Sequence, residues 1–211
     1  PSTDAWCMAY AFDDQPVELW IMGEDLPANI RKHVEAGGLL GAWNASFELA
    51  IWNHIMVPRY NWPELKASQC RCTMMMAGAM SLPLGLDRCA SAMNLDISKD
   101  KQGYSLMLRM AKPRKLNPLI WWDVPARLEK LYTYCKQDVE VERKLAGKLR
   151  SLSDKEQALW VLDQEINNRG VPVDLTSVNS LIDWCKQERI RLNNEMVRVS
   201  NGQVMNCADL V

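Results

Sequence analysis

The chain has 211 residues, a formal net charge of −1 and 48% hydrophobic residues. That is enough apolar material for one packed domain and part of another, which excludes wholesale disorder. The near-neutral balance excludes a global basic field that would gather nucleic acid from a distance, although a metal site would supply positive charge of its own.

In chain order, residues 6–12 and 17–21 read as strands. The turn residues Asp13, Asp14, Gln15 and Pro16 between them predict a hairpin. Residues 27–36 have helical character, with Ile30 and Val34 on one face, and Gly37-Gly38 stops them. The short apolar run 39–43 suggests a buried parallel strand. A helix over 46–56 follows, with Phe47, Ile51 and Ile55 spaced at four.

Residues 72–80, rich in Met and Ala, predict a buried helix, and 85–93 and 103–111 predict two further short ones. Pro113 and Pro118 mark 114–122 as a loop. Asp123 caps a long helix with Pro125 in its first turn, reaching about residue 149. Its apolar stripe is Leu128, Leu131, Cys135, Val139 and Leu145. Residues 151–154 break that helix and supply the expected domain boundary, dividing 1–150 from 151–211. A helix then starts near Asp154 with Leu159, Leu162 and Ile166 inward. After Gly170 and an extended 171–174, a last helix covers 175–199. The order is that of an α/β domain followed by a helical segment.

The 7 cysteines are odd in number and irregularly spaced, which fits reduced thiols in a cytoplasmic protein. Cys70 and Cys72 with His54 make a weak zinc pattern. No apolar run approaches the roughly 18 residues that span a membrane, so no membrane partner is expected. Pro at position 1 and the abrupt end at Val211 read as a piece of a longer protein. Lys99, Lys101, Arg109, Lys112, Arg114 and Lys115 form a local basic cluster, equally readable as a solvated face or a phosphate contact.

Two motifs carry chemistry. Tyr134 and Asp138 stand four apart, on one face of the long helix and about 6 Å apart along its axis. Alone, they read as a core-edge tyrosine and a solvated acid. Glu48 stands in the first turn after a strand, where an acid favours the helix start, so a capping role is its simplest reading. The same crevice, at the carboxyl end of a parallel strand, is where α/β sheets bind ligands. Taken together, two carboxylates and a phenol suggest a metal-dependent nuclease.

Asn44-x-x-Phe47-Glu48 resembles the second motif of the DEDD superfamily of 3′–5′ exonucleases. Tyr134-x-x-x-Asp138 resembles the third motif of its tyrosine branch, which includes the proofreading domains of family A DNA polymerases. Trp6 to Tyr10, Cys72-Thr73-Met74, Leu82-Pro83, and Lys101 with Gly103 are similar to phage-type members. Leu159 to Asp174 resembles the start of the polymerase portion, so the resemblance spans nearly the whole chain.

The resemblance implies a ribonuclease H-like exonuclease fold over 1–150 and the start of the helical polymerase region over 151–211. It implies two divalent cations, Mg or Mn, with Glu48 and Asp138 as metal ligands and Tyr134 orienting the attacking water. Asn44, Phe47 and Lys101 would bind substrate. The implied partners are the 3′ end of single-stranded DNA or a frayed primer terminus, and the rest of a polymerase chain. The implied location is the cytoplasm, that of the bacterial host if phage-encoded.

The chain departs from the family twice. Glu48 stands where Asp is more common. The first motif, an Asp-x-Glu on the central first strand, is missing, and Asp4, Asp13 and Asp14 are poorly placed to replace it. The expectation is therefore that this chain alone has weak or no nuclease activity. Alternatives are a non-catalytic scaffold or single-strand-binding module, a ribonuclease of the same superfamily (disfavoured by the segment 166–174), and an unrelated α/β protein.

Overall fold

The computed structural model describes residues 3–96, 101–206 and 208, with the side chain of Lys101 outside the description. It forms two compact units, residues 1–166 and 167–211. The architecture is mixed α/β.

Strands β1 (Cys7–Tyr10) and β2 (Glu18–Ile21) pair antiparallel, with Cys7 opposite Ile21 and Tyr10 opposite Glu18. This is the expected hairpin. Helix α1 (Ala28–Glu35) buries Ile30 and Val34, and Gly37 ends it with a φ of 80° that residues bearing a Cβ disfavour.

Strand β3 (Leu40–Ala42) pairs in parallel with β4 (Cys70–Cys72), Leu40 opposite Cys70 and Ala42 opposite Cys72. The parallel direction is as expected, but β3 is only half-buried, with Gly41 exposed and Leu39 at 55% exposure. Sequence patterning missed β4 altogether. Cys-Arg-Cys has no strand periodicity of its own, and only its pairing with β3 makes it one.

Helix α2 (Ala45–Ile51) runs into a π-helical turn (Trp52–Met56) and then α3 (Val57–Tyr60). Of the three residues spaced at four, Ile51 and Ile55 pack half-buried against the core and Phe47 does not. Ala45, Trp52 and Met56 are the buried residues, while Phe47 is 60% exposed. The indole of Trp52 offers the largest apolar area in the segment and takes the core position. The wider π turn then carries Met56 inward as well.

Trp52 packs edge-on against Trp62 at 4.6 Å between ring centroids, and Trp62 against Trp20 at 5.1 Å. These rings, with α1, the buried cysteines of β4 and Trp160, form the main core. Gln69 is buried beside it, donating to the carbonyls of Val34 and Gly38 at 3.0 and 3.1 Å and closing the end of α1.

Helices α4 (Thr73–Ala79), α5 (Leu86–Ala92) and α6 (Lys101–Met110) lead to α7 (Pro125–Ala146). The N-cap of α7 is Val124, without a side-chain hydrogen bond, rather than Asp123. Helix α7 serves two clusters. Val141 and Leu145 pack with Met76, Ala77, Cys89 and Ala90. Leu131 and Tyr134 pack with Met110, flanked by Trp6 and Trp122.

Helix α8 (Asp154–Arg169) opens on a reciprocal cap: Ser153 N donates to Glu156 at 2.8 Å, and Glu156 N to Ser153 Oγ at 3.3 Å. It begins just past the boundary expected at 151, and its Trp160 belongs to the core of the first unit. Its inward face is rotated from expectation. Leu159, Leu162 and Ile166 are 57%, 50% and 48% exposed, while Trp160 and Gln164 are buried. One tryptophan again outweighs a stripe of smaller apolar side chains.

In the second unit, α9 (Leu175–Val199) is capped by Asp174, whose carboxylate accepts from the backbone N–H groups of Thr176 and Ser177 at 3.1 Å. None of its residues is buried. No helix among the described residues is long and apolar enough to cross a membrane.

Candidate active site

Two elements carry the candidate residues. The first is the junction of β3 with α2. Asn44 sits at the N-cap of α2 without a side-chain cap bond, and the backbone closes the turn instead, Phe47 N donating to Asn44 O at 2.7 Å. Asn44 and Phe47 both face solvent. Glu48 lies in the first turn, and its carboxyl also accepts from its own backbone N–H, the interaction expected of an acid at a helix start.

The second element is the middle of α7. Tyr134 is buried and Asp138 is half-buried on the same stripe. Burial is the main cause that pushes the Tyr134 phenol well above its usual range, and the neighbouring Asp138 carboxylate adds to it. The phenol therefore stays protonated at neutral pH and can act as a donor. Beside Tyr134, the free thiol of Cys7 in β1 donates toward the free Cys135 Sγ, which sets this part of α7 against the hairpin.

The next step of four along α7 reaches Glu142, which sequence reading did not single out. Thr73 Oγ1 donates to its Oε1 at 3.0 Å, and the backbone N–H of Trp43 donates to its carboxylate as well. Glu142 thus binds the residue just before Asn44 and the first residue of α4. Its signal in the sequence was its register: Tyr134, Asp138 and Glu142 repeat at four on one helix.

Glu142 also joins the two elements electrically. Burial pushes Glu142 up to about 7, its two donors oppose the shift, and the charge of Asp138 adds to it. Burial likewise pushes Glu48 up to about 7, its own N–H opposes this, and the charge of Glu142 adds to it. Water reaches the Glu48 side chain while protein surrounds its carboxyl. Screening by that water moderates the energetic effect of the upward shift. Cys135 feels both Asp138 and Glu48. The three carboxylates therefore occupy one neighbourhood and repel one another.

Among the described residues, no three His, Cys, Asp or Glu side chains converge closely enough to cage a metal ion. Carboxylate oxygens are the right donors for a hard divalent cation, so the donor set suits such an ion in kind and falls short in number. Of the remaining substrate candidates, the side chain of Lys101 is outside the described residues, as is Lys99.

No family model matches this sequence, and no solved structure matches it. A protein named DNA polymerase from Bacillus phage SP02 is 35% identical over 212 residues, taking in 95% of this chain and 32% of the phage protein. The chain is therefore related in sequence to a phage DNA polymerase, over a segment about a third of that protein's length.

Proposed function

We propose that this chain is the 3′–5′ exonuclease segment of a phage-type family A DNA polymerase, on a ribonuclease H-like fold, followed by the opening of the polymerase region. On this reading the exonuclease-like part takes residues 1–150 and the polymerase part begins at 151. The observation that carries it is the gathering of Glu48 from α2 with Asp138 and Glu142 from α7 beside the Tyr134 phenol. Relation to a phage DNA polymerase supports the same assignment.

In this reading Glu48 and Asp138 hold divalent cations, Mg or Mn, with further carboxylates supplied by the family's Asp-x-Glu strand. Such ions, when bound, activate water and stabilise the leaving 3′ oxygen of the terminal phosphodiester. The protonated phenol of Tyr134 orients water at that phosphate. The exposed ring of Phe47 offers a stacking surface that tolerates any base, as removal of arbitrary 3′ nucleotides requires. Asn44 lies one helical turn before Glu48 and contacts the same nucleotide. Glu142 holds the two acid-bearing elements in register through Thr73 and Trp43.

The test uses 5′-labelled single-stranded DNA with Mn2+. The expected result is slow shortening from the 3′ end, abolished in Asp138→Ala. Mn2+ should also raise the Tm of the wild type but not of Glu48→Gln/Asp138→Asn. Internal cuts overturn the reading, and so does intact DNA together with an unmoved Tm.

A second reading, a non-catalytic module that holds a single strand, draws on the lack of three convergent ligands among the described residues. It predicts bound, uncut DNA and no Tm response to Mn2+.

A further inference from the structure

Three guanidiniums converge on one indole. Arg109, Arg114 and Arg127 lie 5.8, 5.4 and 4.9 Å from the ring centroid of Trp122. They come from three places in the chain: the last turn of α6, the loop after it, and the first turn of α7. Among the described residues, no ion pair joins any of the three to a carboxylate, although Asp123 adjoins the ring in sequence and Glu129 lies in the next turn of α7.

This arrangement is electrostatically incomplete. Cation–π attraction to the ring draws each arginine in, but the three positive charges repel one another. Arg127 also stands at the positive end of the α7 dipole, in a first turn with no acidic residue and beneath an N-cap with no side-chain bond. A cation at a helix start is unfavourable. An anion placed among the three guanidiniums would relieve both penalties. Arginine's planar fork suits phosphate oxygens, and it stacks on aromatic faces.

Trp122 itself is half-buried and packs against the cluster that contains Tyr134. Arg127 and Tyr134 are seven residues apart, two turns along one face of α7 and about 10 Å along its axis. The basic surface and the candidate active site therefore share a helix face and a supporting core.

We propose that Trp122 with Arg109, Arg114 and Arg127 is a phosphate-binding platform for a single nucleic-acid strand. Aromatic rings interleaved with arginines are the chemistry that holds such a strand without reading its sequence. The choice of a nucleic-acid strand as the ligand rests on the exonuclease reading, whereas the anion-binding surface does not require hydrolysis.

The experiment is fluorescence anisotropy with a labelled oligo-dT in EDTA, so that cleavage plays no part. In Arg109→Gln/Arg114→Gln/Arg127→Gln, binding should weaken by at least about tenfold, and the slope of log affinity against log salt should fall by about 2. The matching triple Lys variant should keep most of that slope, since charge is retained, and it guards against a folding defect in the Gln variant. Unchanged affinity and slope in a Gln variant with wild-type circular dichroism overturns the platform. Polyglutamate displacing the oligonucleotide as well as free oligo-dT at equal charge overturns the choice of strand. Arginine-dependent binding without Mn2+-dependent shortening would leave the platform standing and count against the exonuclease reading alone.

Discussion

The Thr73 hydroxyl donates to the Glu142 carboxylate at 3.0 Å, joining the first residue of α4 to the C-terminal part of α7 across 69 positions of sequence. Trp43 N–H reaches the same carboxylate, so one side chain ties three elements. Thr73→Val keeps the shape and removes one donor to a half-buried charge. It should destabilise the protein by about 1–3 kcal/mol, measured as a lower urea midpoint with an unchanged m-value. Equal midpoints would show that water replaces the hydroxyl at no cost.

Stability should fall as pH rises from 5 to 8 in the absence of divalent ions. Burial lifts Glu48 and Glu142 from the ordinary value of 4.5 to about 7 in the folded state. A folded pKa above the unfolded one means that the folded state binds more protons between those values. The stabilisation is thus complete below about 4.5 and lost as pH climbs through about 7. Glu142 carries the larger share, because water screens the exposed Glu48. The Tm should drop by roughly a few degrees across this window, and Glu142→Gln should flatten the drop. Thermal unfolding at pH 5, 6.5 and 8 checks both.

Tyr134→Phe removes only the oxygen beside Asp138, while the buried ring keeps its packing against Leu131 and Met110. On the exonuclease reading, Mn2+-dependent shortening of DNA should fall roughly 10–100-fold with the Tm nearly unchanged. Asp138→Ala should remove it altogether. A Tyr134→Phe rate equal to wild type would show that the phenol has no part in orienting water.

The tryptophan cluster should dominate folding of the first unit. Trp62 is buried between Trp20 and Trp52, and Trp52 Nε1 donates to Pro63 O at 2.7 Å beside it. Trp62→Ala leaves a large cavity and should cost about 3–5 kcal/mol, read from chemical denaturation. A loss below about 1 kcal/mol would mean that the neighbouring rings collapse into the space.

The elements whose signals are local were legible in the sequence. The β1–β2 hairpin follows from two strand-forming runs around a turn-rich tetrapeptide. The start of α8 follows from the break over 151–154, and α7 from Pro125 and its long apolar stripe. Tyr134 and Asp138 share a face of α7 because four residues nearly complete a helical turn. Glu142 obeys the same rule but stood out only once its partners Thr73 and Trp43 were seen, since neither is near it in sequence.

The sequence by itself determined where helices and the hairpin lie, because propensity, capping and periodicity act over a few neighbours. The tertiary structure alone decided which face of α2 and α8 turns inward, since Trp52 and Trp160 claim core volume that only other elements define. It alone made Cys70–Cys72 a strand, through hydrogen bonds to β3. It also gathered three arginines onto Trp122 and brought Glu48 within electrical reach of Glu142. Those relations are distances between segments far apart in the chain, and they exist only once the core has closed.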